Sequence, residues 1–177
     1  MIRTIVRRHF IARLTVSMVA GLSHLAHAAA PKNAAQTRSI LVVGDSLSAE
    51  YGIARGSGWV ALLEQRLAKE KKPWKVVNAS ISGDTTAGGR SRIDNLLAQH
   101  RPAVVIIELG GNDALRGLPL QSTADNLRNM VQAAKASGAR VLLVGMQIPP
   151  NYGQAYARKF AEVFVDISRE QQIALLP

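Results

Sequence analysis

Ala103 to Leu109 reads Ala-Val-Val-Ile-Ile-Glu-Leu, a run too apolar for a strand with one wet face. Such a run marks a central strand of a parallel sheet, covered by helices on both sides. Ile40-Leu41-Val42-Val43 has the same character and ends in Gly44-Asp45-Ser46. Both runs sit in a chain where short apolar segments alternate with amphipathic helical patterns. That alternation predicts a three-layer α/β domain with right-handed crossovers.

The rest of the chain fills in the pattern. A helix is expected to open at Ser57-Gly58 soon after the first strand, with Trp59, Leu62, Leu63 and Leu67 on one face, and to end before Pro73. Lys75 to Asn78 reads as a second strand, followed by the turn-rich Ser80-Ile81-Ser82-Gly83-Asp84-Thr85-Thr86. The next helix runs to His100 with Ile93, Leu96 and Leu97 inward. After the central strand come the loop Gly110-Gly111-Asn112-Asp113 and a capping-box-like helix start at Ser122 to Asp125. That helix buries Leu127, Met130, Val131 and Ala134 and stops at Gly138. Val141 to Gly145 is a fourth strand, and Gln147 to Gly153 a loop. A last helix carries Tyr156, Phe160, Val163, Phe164 and Ile167, and Ile173 to Leu176 begins a fifth strand.

The first thirty residues stand apart. Met1 to Arg13 carries Arg3, Arg7, Arg8 and Arg13 and no acid. Leu14 to Leu25 is apolar but too short to span a bilayer, and Ala26-His27-Ala28-Ala29-Ala30 offers small-residue cleavage sites. This is the pattern of a secretory signal peptide over residues 1–30, cut after Ala28 or Ala30. A linker over 31–38 and one domain over 39–177 follow. The general export route is preferred to the twin-arginine one suggested by Arg7-Arg8, and either makes the protein periplasmic or secreted. Without its four arginines the chain keeps 18 basic residues of 22, against 12 acidic. That mildly basic surface has no dense patch of the kind nucleic acid requires. Weak contact with anionic lipid headgroups stays open. There is no cysteine, hence no disulfide framework and no thiolate metal site.

Parallel strands place Ser46, Gly83 and Asn112 on one edge of the sheet, the carboxyl edge where open α/β sheets bind ligands. There the Ser46 hydroxyl would lie close to the N–H groups of a helix start. Each residue has an ordinary reading too. Asp45 or Ser46 can cap a helix, Gly83 can serve a turn, and Asn112 can be loop chemistry. Together they suit acyl transfer. A serine nucleophile needs donors aimed at the oxygen that becomes negative. The N–H of Ser46, the N–H of Gly83 and the Asn112 amide form such a set.

Three blocks, Gly44-Asp45-Ser46-Leu47-Ser48, Asn78 to Thr85 and Glu108-Leu109-Gly110-Gly111-Asn112-Asp113, resemble successive blocks of the SGNH (GDSL) hydrolases. The loop Ile148 to Gly153 is similar to the branch of periplasmic thioesterases, lysophospholipases and arylesterases. The resemblance covers Ser39 to Pro177. It implies a flavodoxin-like sheet of order 2-1-3-4-5 and hydrolysis of acyl esters or thioesters through an acyl-enzyme, with no cofactor and no metal. It also implies Ser46 as nucleophile, Gly83 and Asn112 completing the oxyanion hole, and Asp45 and Asp113 in support. The α/β-hydrolase elbow Gly-x-Ser-x-Gly fits less well, because its second glycine is missing. Glu50 stands where a glycine is usual and is expected to put an extra carboxylate near the pocket.

One part of the pattern is absent. The family carries Asp-x-x-His in a loop after the fifth strand, and this sequence has no such motif. His9, His24 and His27 fall in the signal segment. His100 closes the helix before the central strand, at the opposite edge from Ser46. The expectation is therefore a C-terminally incomplete hydrolase domain, its fifth strand and final helix unfinished, and inactive on its own. The alternative is a non-catalytic acyl-ligand-binding protein. A nucleotide or flavin binder is disfavoured, since neither Gly-x-Gly-x-x-Gly nor a P-loop follows the first strand.

Overall fold

The computed structural model describes residues 38–177; the signal-peptide reading and the linker up to residue 37 lie outside them. The elements are β1 (Arg38–Gly44), α1 (Trp59–Lys69), β2 (Trp74–Asn78), α2 (Thr86–His100) and β3 (Val104–Glu108). Then follow α3 (Gly111–Leu115), α4 (Leu120–Ala136), β4 (Arg140–Val144), a 3₁₀ turn at Pro150–Tyr152, α5 (Gln154–Gln171) and β5 (Ala174–Leu176). The five strands form one sheet of order β2-β1-β3-β4-β5. Every pairing is parallel, with Leu41 opposite Val77 and Val105. The flavodoxin-like three-layer fold is thus the observed one.

Alternation along the strands builds two cores. Leu41, Val43, Val105, Ile107, Val141 and Leu143 point to the side covered by α2, α4 and α5. Ile40, Val42, Val76 and Ile106 point to the other side, under Val60 of α1 and the half-buried Trp59, Leu63 and Leu67. A two-residue period does this automatically, because successive side chains leave opposite faces. β3 sits between the two cores, and Val105 to Glu108 are all buried, as its continuous apolar run requires. On the α4 side, Leu127, Met130, Val131 and Ala134 are fully buried, as the periodicity predicts.

The helix expected at Ser57-Gly58 is found there: residues 46–52 form turns, Gly58 is the N-cap and α1 begins at Trp59. Three local expectations change. Leu62 is 53% exposed, since residues 60, 63 and 67 already fill one stripe and Leu62 lies roughly 100° round the helix from Leu63. α4 starts at Leu120, with Pro119 as its N-cap and no side-chain cap. Proline fixes φ in the helical range and starts the turn early, so Ser122 to Asp125 lie inside the helix. Finally, Gly110-Gly111-Asn112-Asp113 is not an open loop, since Gly111 to Leu115 wind into α3.

Candidate active site

β1, β2 and β3 deliver three segments to the carboxyl edge: the Asp45–Ser48 turn, the Ser80–Thr85 turn and α3. The first is shaped by Asp45. Its Oδ1 accepts the Leu47 N–H at 3.0 Å, and its carbonyl accepts the Ala49 N–H at 2.9 Å. The side chain therefore caps its own turn rather than a helix. Ser46, half-buried, stands at the head of that turn.

Gly83 has φ of +79°, a left-handed conformation that a side chain disfavours. A Cβ here would meet only Arg116 Nη2, at 3.8 Å, so the backbone angle, not crowding, calls for glycine. The Gly83 carbonyl accepts from Arg116 Nη2 at 2.8 Å. Asn112, in the first turn of α3, connects the three segments. Its Nδ2 donates to Asp45 Oδ2 at 3.0 Å and to the Asp84 carbonyl at 2.9 Å. A primary amide has two N–H bonds, and both are engaged. An oxyanion entering here must share or replace one of those acceptors.

The supporting acids have distinct tasks. Asp113 is buried, and its Oδ2 accepts the Thr86 N–H at 2.9 Å, at the start of α2. A carboxylate at a helix N-terminus satisfies an orphan donor and complements the dipole. Thr86 Oγ1 donates to Asp113 Oδ1 and accepts from Asn126 of α4 at 3.1 Å, so α3 is tied to two helices. Asp84 pairs with Arg92 of α2 at 2.8 Å. Burial, the largest influence, raises the pKa of Asp45, opposed by its bonds from Leu47 and Asn112. Beneath the site, Gly110 has φ of +123° and lies against α5. A Cβ on it would sit 3.1 Å from Phe164 Cζ, and Phe164 is braced edge-on by Phe160 at 5.2 Å.

Glu50 departs from expectation. Its carboxylate turns back onto its own loop, accepting the Gly56 N–H at 3.0 Å and the Gly58 N–H at 2.9 Å. These bonds lower its pKa. It clasps the segment leading into α1 instead of charging the pocket. Glu108 was not singled out in the sequence. It ends β3 fully under the Ser46 turn, accepting from Ser48 Oγ at 2.6 Å. The signal available was an acid inside an otherwise apolar central strand. His100 lies where expected, its carbonyl bonded by Ser39 Oγ near the start of β1. Seven residues of extended chain, roughly 23 Å, separate that level from Ser46, so it cannot act on the serine hydroxyl. Among the described residues no imidazole reaches the carboxyl edge.

The profile of the GDSL-like lipase/acylhydrolase family matches residues 42–177. An esterase of Pseudomonas aeruginosa, TesA, is 54% identical over 143 residues, which span 81% of this chain and 71% of that protein. The Escherichia coli K12 thioesterase 1/protease 1/lysophospholipase L1 is 43% identical over 144 residues, 81% of this chain and 68% of that one. Among solved structures, a crystal structure of TesA superposes with a TM-score of 0.77 at 52% identity, covering 78% of this chain and 77% of that one. Three motif-bearing segments at one sheet edge, the parallel order β2-β1-β3-β4-β5 and these matches agree. The chain belongs to the GDSL-like lipase/acylhydrolase family, whose members are hydrolases of carboxylic esters and thioesters.

Proposed function

We propose that Ser46 is the nucleophile of an acyl-ester hydrolase, with Gly83 N–H, Ser46 N–H and the Asn112 amide as oxyanion donors. The observation that carries this is the Asn112 amide, which bridges Asp45 beside the serine and the Asp84 carbonyl beside Gly83. A donor held in place before substrate arrives has only to exchange one acceptor for the oxyanion when charge develops. In the first step Ser46 Oγ bonds to the acyl carbon and its proton passes to a base. The carbonyl oxygen takes up the negative charge. Collapse of the tetrahedral adduct expels the alcohol or thiol, which regains the proton, and leaves an acyl-serine.

Substrates with an acyl chain fit the surroundings. Of the nine exposed large apolar residues among the described ones, Leu47, Tyr51, Ile53, Ile81, Leu115, Leu118 and Tyr152 all lie in segments following the strands at the carboxyl edge. Scattered apolar residues are ordinary, and seven on segments that leave one edge of the sheet support an acyl-binding role there. Lysophospholipids, acyl thioesters and aryl esters share the acyl chemistry such a rim receives. The same rim, with Arg55 and Arg116 nearby in sequence, supports light contact with a lipid surface. Residues 1–30 act as an export signal and 39–177 as the domain, which places the protein in the periplasm or outside the cell.

A second reading, a non-catalytic acyl-ligand binder, is favoured by the lack of an imidazole near Ser46 among the described residues. Added imidazole separates the two. If Ser46 is poised, the chain plus imidazole releases p-nitrophenol from p-nitrophenyl acetate faster than imidazole with Ser46→Ala does. Equal rates would favour the binder.

A further inference from the structure

Ser48 receives a hydrogen bond from Trp59 Nε1 at 3.1 Å and lies 2.6 Å from Glu108 Oε2. Indole nitrogen only donates, so the Ser48 hydroxyl proton is left to point at Glu108. The direction is thus fixed, from Trp59 N–H to Ser48 O–H to Glu108 Oε2. The same Oε2 accepts the Asp45 N–H at 3.4 Å. The Ser48 carbonyl is held by Asn78 Nδ2 at 2.7 Å. Gly44 makes room for the contact, because a Cβ there would sit 2.7 Å from both Glu108 Oε2 and Ser48 Oγ. The second oxygen, Oε1, is buried with no hydrogen-bond partner among the described residues.

We propose that Glu108 is a positioning residue for the Ser46 turn, gripping Asp45 and Ser48 on either side of the serine through one oxygen while the other, buried and unpartnered, carries a proton. A carboxylate charge has no donor at Oε1, whereas a neutral acid places its hydrogen there and keeps Oε2 as the acceptor. The charged neighbour is Asp45, from the β1 turn, which disfavours a second negative charge. α1 contributes Trp59 and β2 contributes Asn78, both neutral; Asp84 and Asp113 act on Asp45. Burial, the largest influence, and the Asp45 charge push the Glu108 pKa up from 4.5 to about 7, against the Ser48 bond. Loss of the proton puts a charge under the turn and resets the Trp59–Ser48–Glu108 relay. The inference concerns the turn that the proposed nucleophile occupies, and its test requires no turnover.

The chain has two tryptophans, Trp59 and Trp74, so its indole N–H resonances number two. Trp74 lies at the other end of the sheet, beneath Arg38. In the full chain the Trp59 indole resonance should titrate with a midpoint about 7, while that of Trp74 does not follow it. Glu108→Gln keeps an acceptor for Ser48 and Asp45. In that variant the Trp59 titration should vanish, and the amide resonances of residues 45–49 should match the parent well below its midpoint. Ser48→Ala cuts the relay without touching the acid and should also flatten the Trp59 response, which covers a Glu108 variant that fails to fold. His100→Gln should leave the midpoint in place. A Trp59 titration that survives in Glu108→Gln or Ser48→Ala, or a parent resonance flat across the range, would overturn the assignment.

Discussion

Asn112 is the residue on which the most chemistry turns, because both of its amide hydrogens are already spent on Asp45 and Asp84. Replacing it by alanine removes the proposed oxyanion donor and unties three segments together. Acylation of Ser46 by an activated ester should then slow by about 10²–10³-fold, the usual cost of one such donor. Stopped-flow release of p-nitrophenol in the presence of imidazole measures it. Asp113 is different, since its bonds go to Thr86 and Thr123 rather than toward Ser46. Asp113→Ala should cost about 1.5–3 kcal/mol in urea unfolding, the range for buried hydrogen bonds to a charged group. Glu108 gives stability a pH dependence of definite sign. The folded state keeps this proton up to about 7, whereas the group ordinarily loses it near 4.5. Between those values the folded state binds the extra proton, so the contribution of Glu108 to stability is full below about 4.5 and declines as pH rises to about 7. Urea titrations across that interval should show the decline in the parent and a weaker one in Glu108→Gln.

Strands and long helices were readable in the residues because burial leaves a period. Val105 to Ile107 announce a doubly covered strand, and Leu127, Met130, Val131 and Ala134 announce one face of α4. The carboxyl-edge placement of Ser46, Gly83 and Asn112 followed from parallel pairing alone. What escaped detection has no period. α3 is five residues long and held by Gly110 at positive φ, a tertiary fit against Phe160 and Phe164 rather than a propensity. The turning back of Glu50 depends on N–H groups six and eight residues away, and the Glu108 grip depends on contacts sixty residues away. The Gly110 fit is testable. Gly110→Ala adds a methyl 3.1 Å from Phe164 at a backbone angle that side chains rarely adopt. It should destabilise the fold by about 1–3 kcal/mol, and Phe164→Leu should recover part of the loss by opening space.

Among the described residues, three helices cover one face of the sheet and α1 covers the other. Leu142 and Val144 of β4 consequently remain only half-buried on the α1 side, and Leu176 on the edge strand β5 is 55% exposed. Apolar surface left wet costs about 25 cal/mol per Å², and an unpaired edge strand invites another chain. Sedimentation of residues 38–177 should therefore show self-association, relieved by Val144→Lys with Leu176→Lys. Against that background the carboxyl edge is independent: its turns are held by their own hydrogen bonds to α2, α3 and the β3 end. The most direct measurement is the mass of the intact chain after exposure to p-nitrophenyl acetate and imidazole, followed by peptide mapping. With Ser46 as the nucleophile, the chain should carry one acetyl group on Ser46, and Ser46→Ala should carry none there. An unmodified Ser46, with acetyl found only on lysines, would contradict the assignment of Ser46 as the nucleophile.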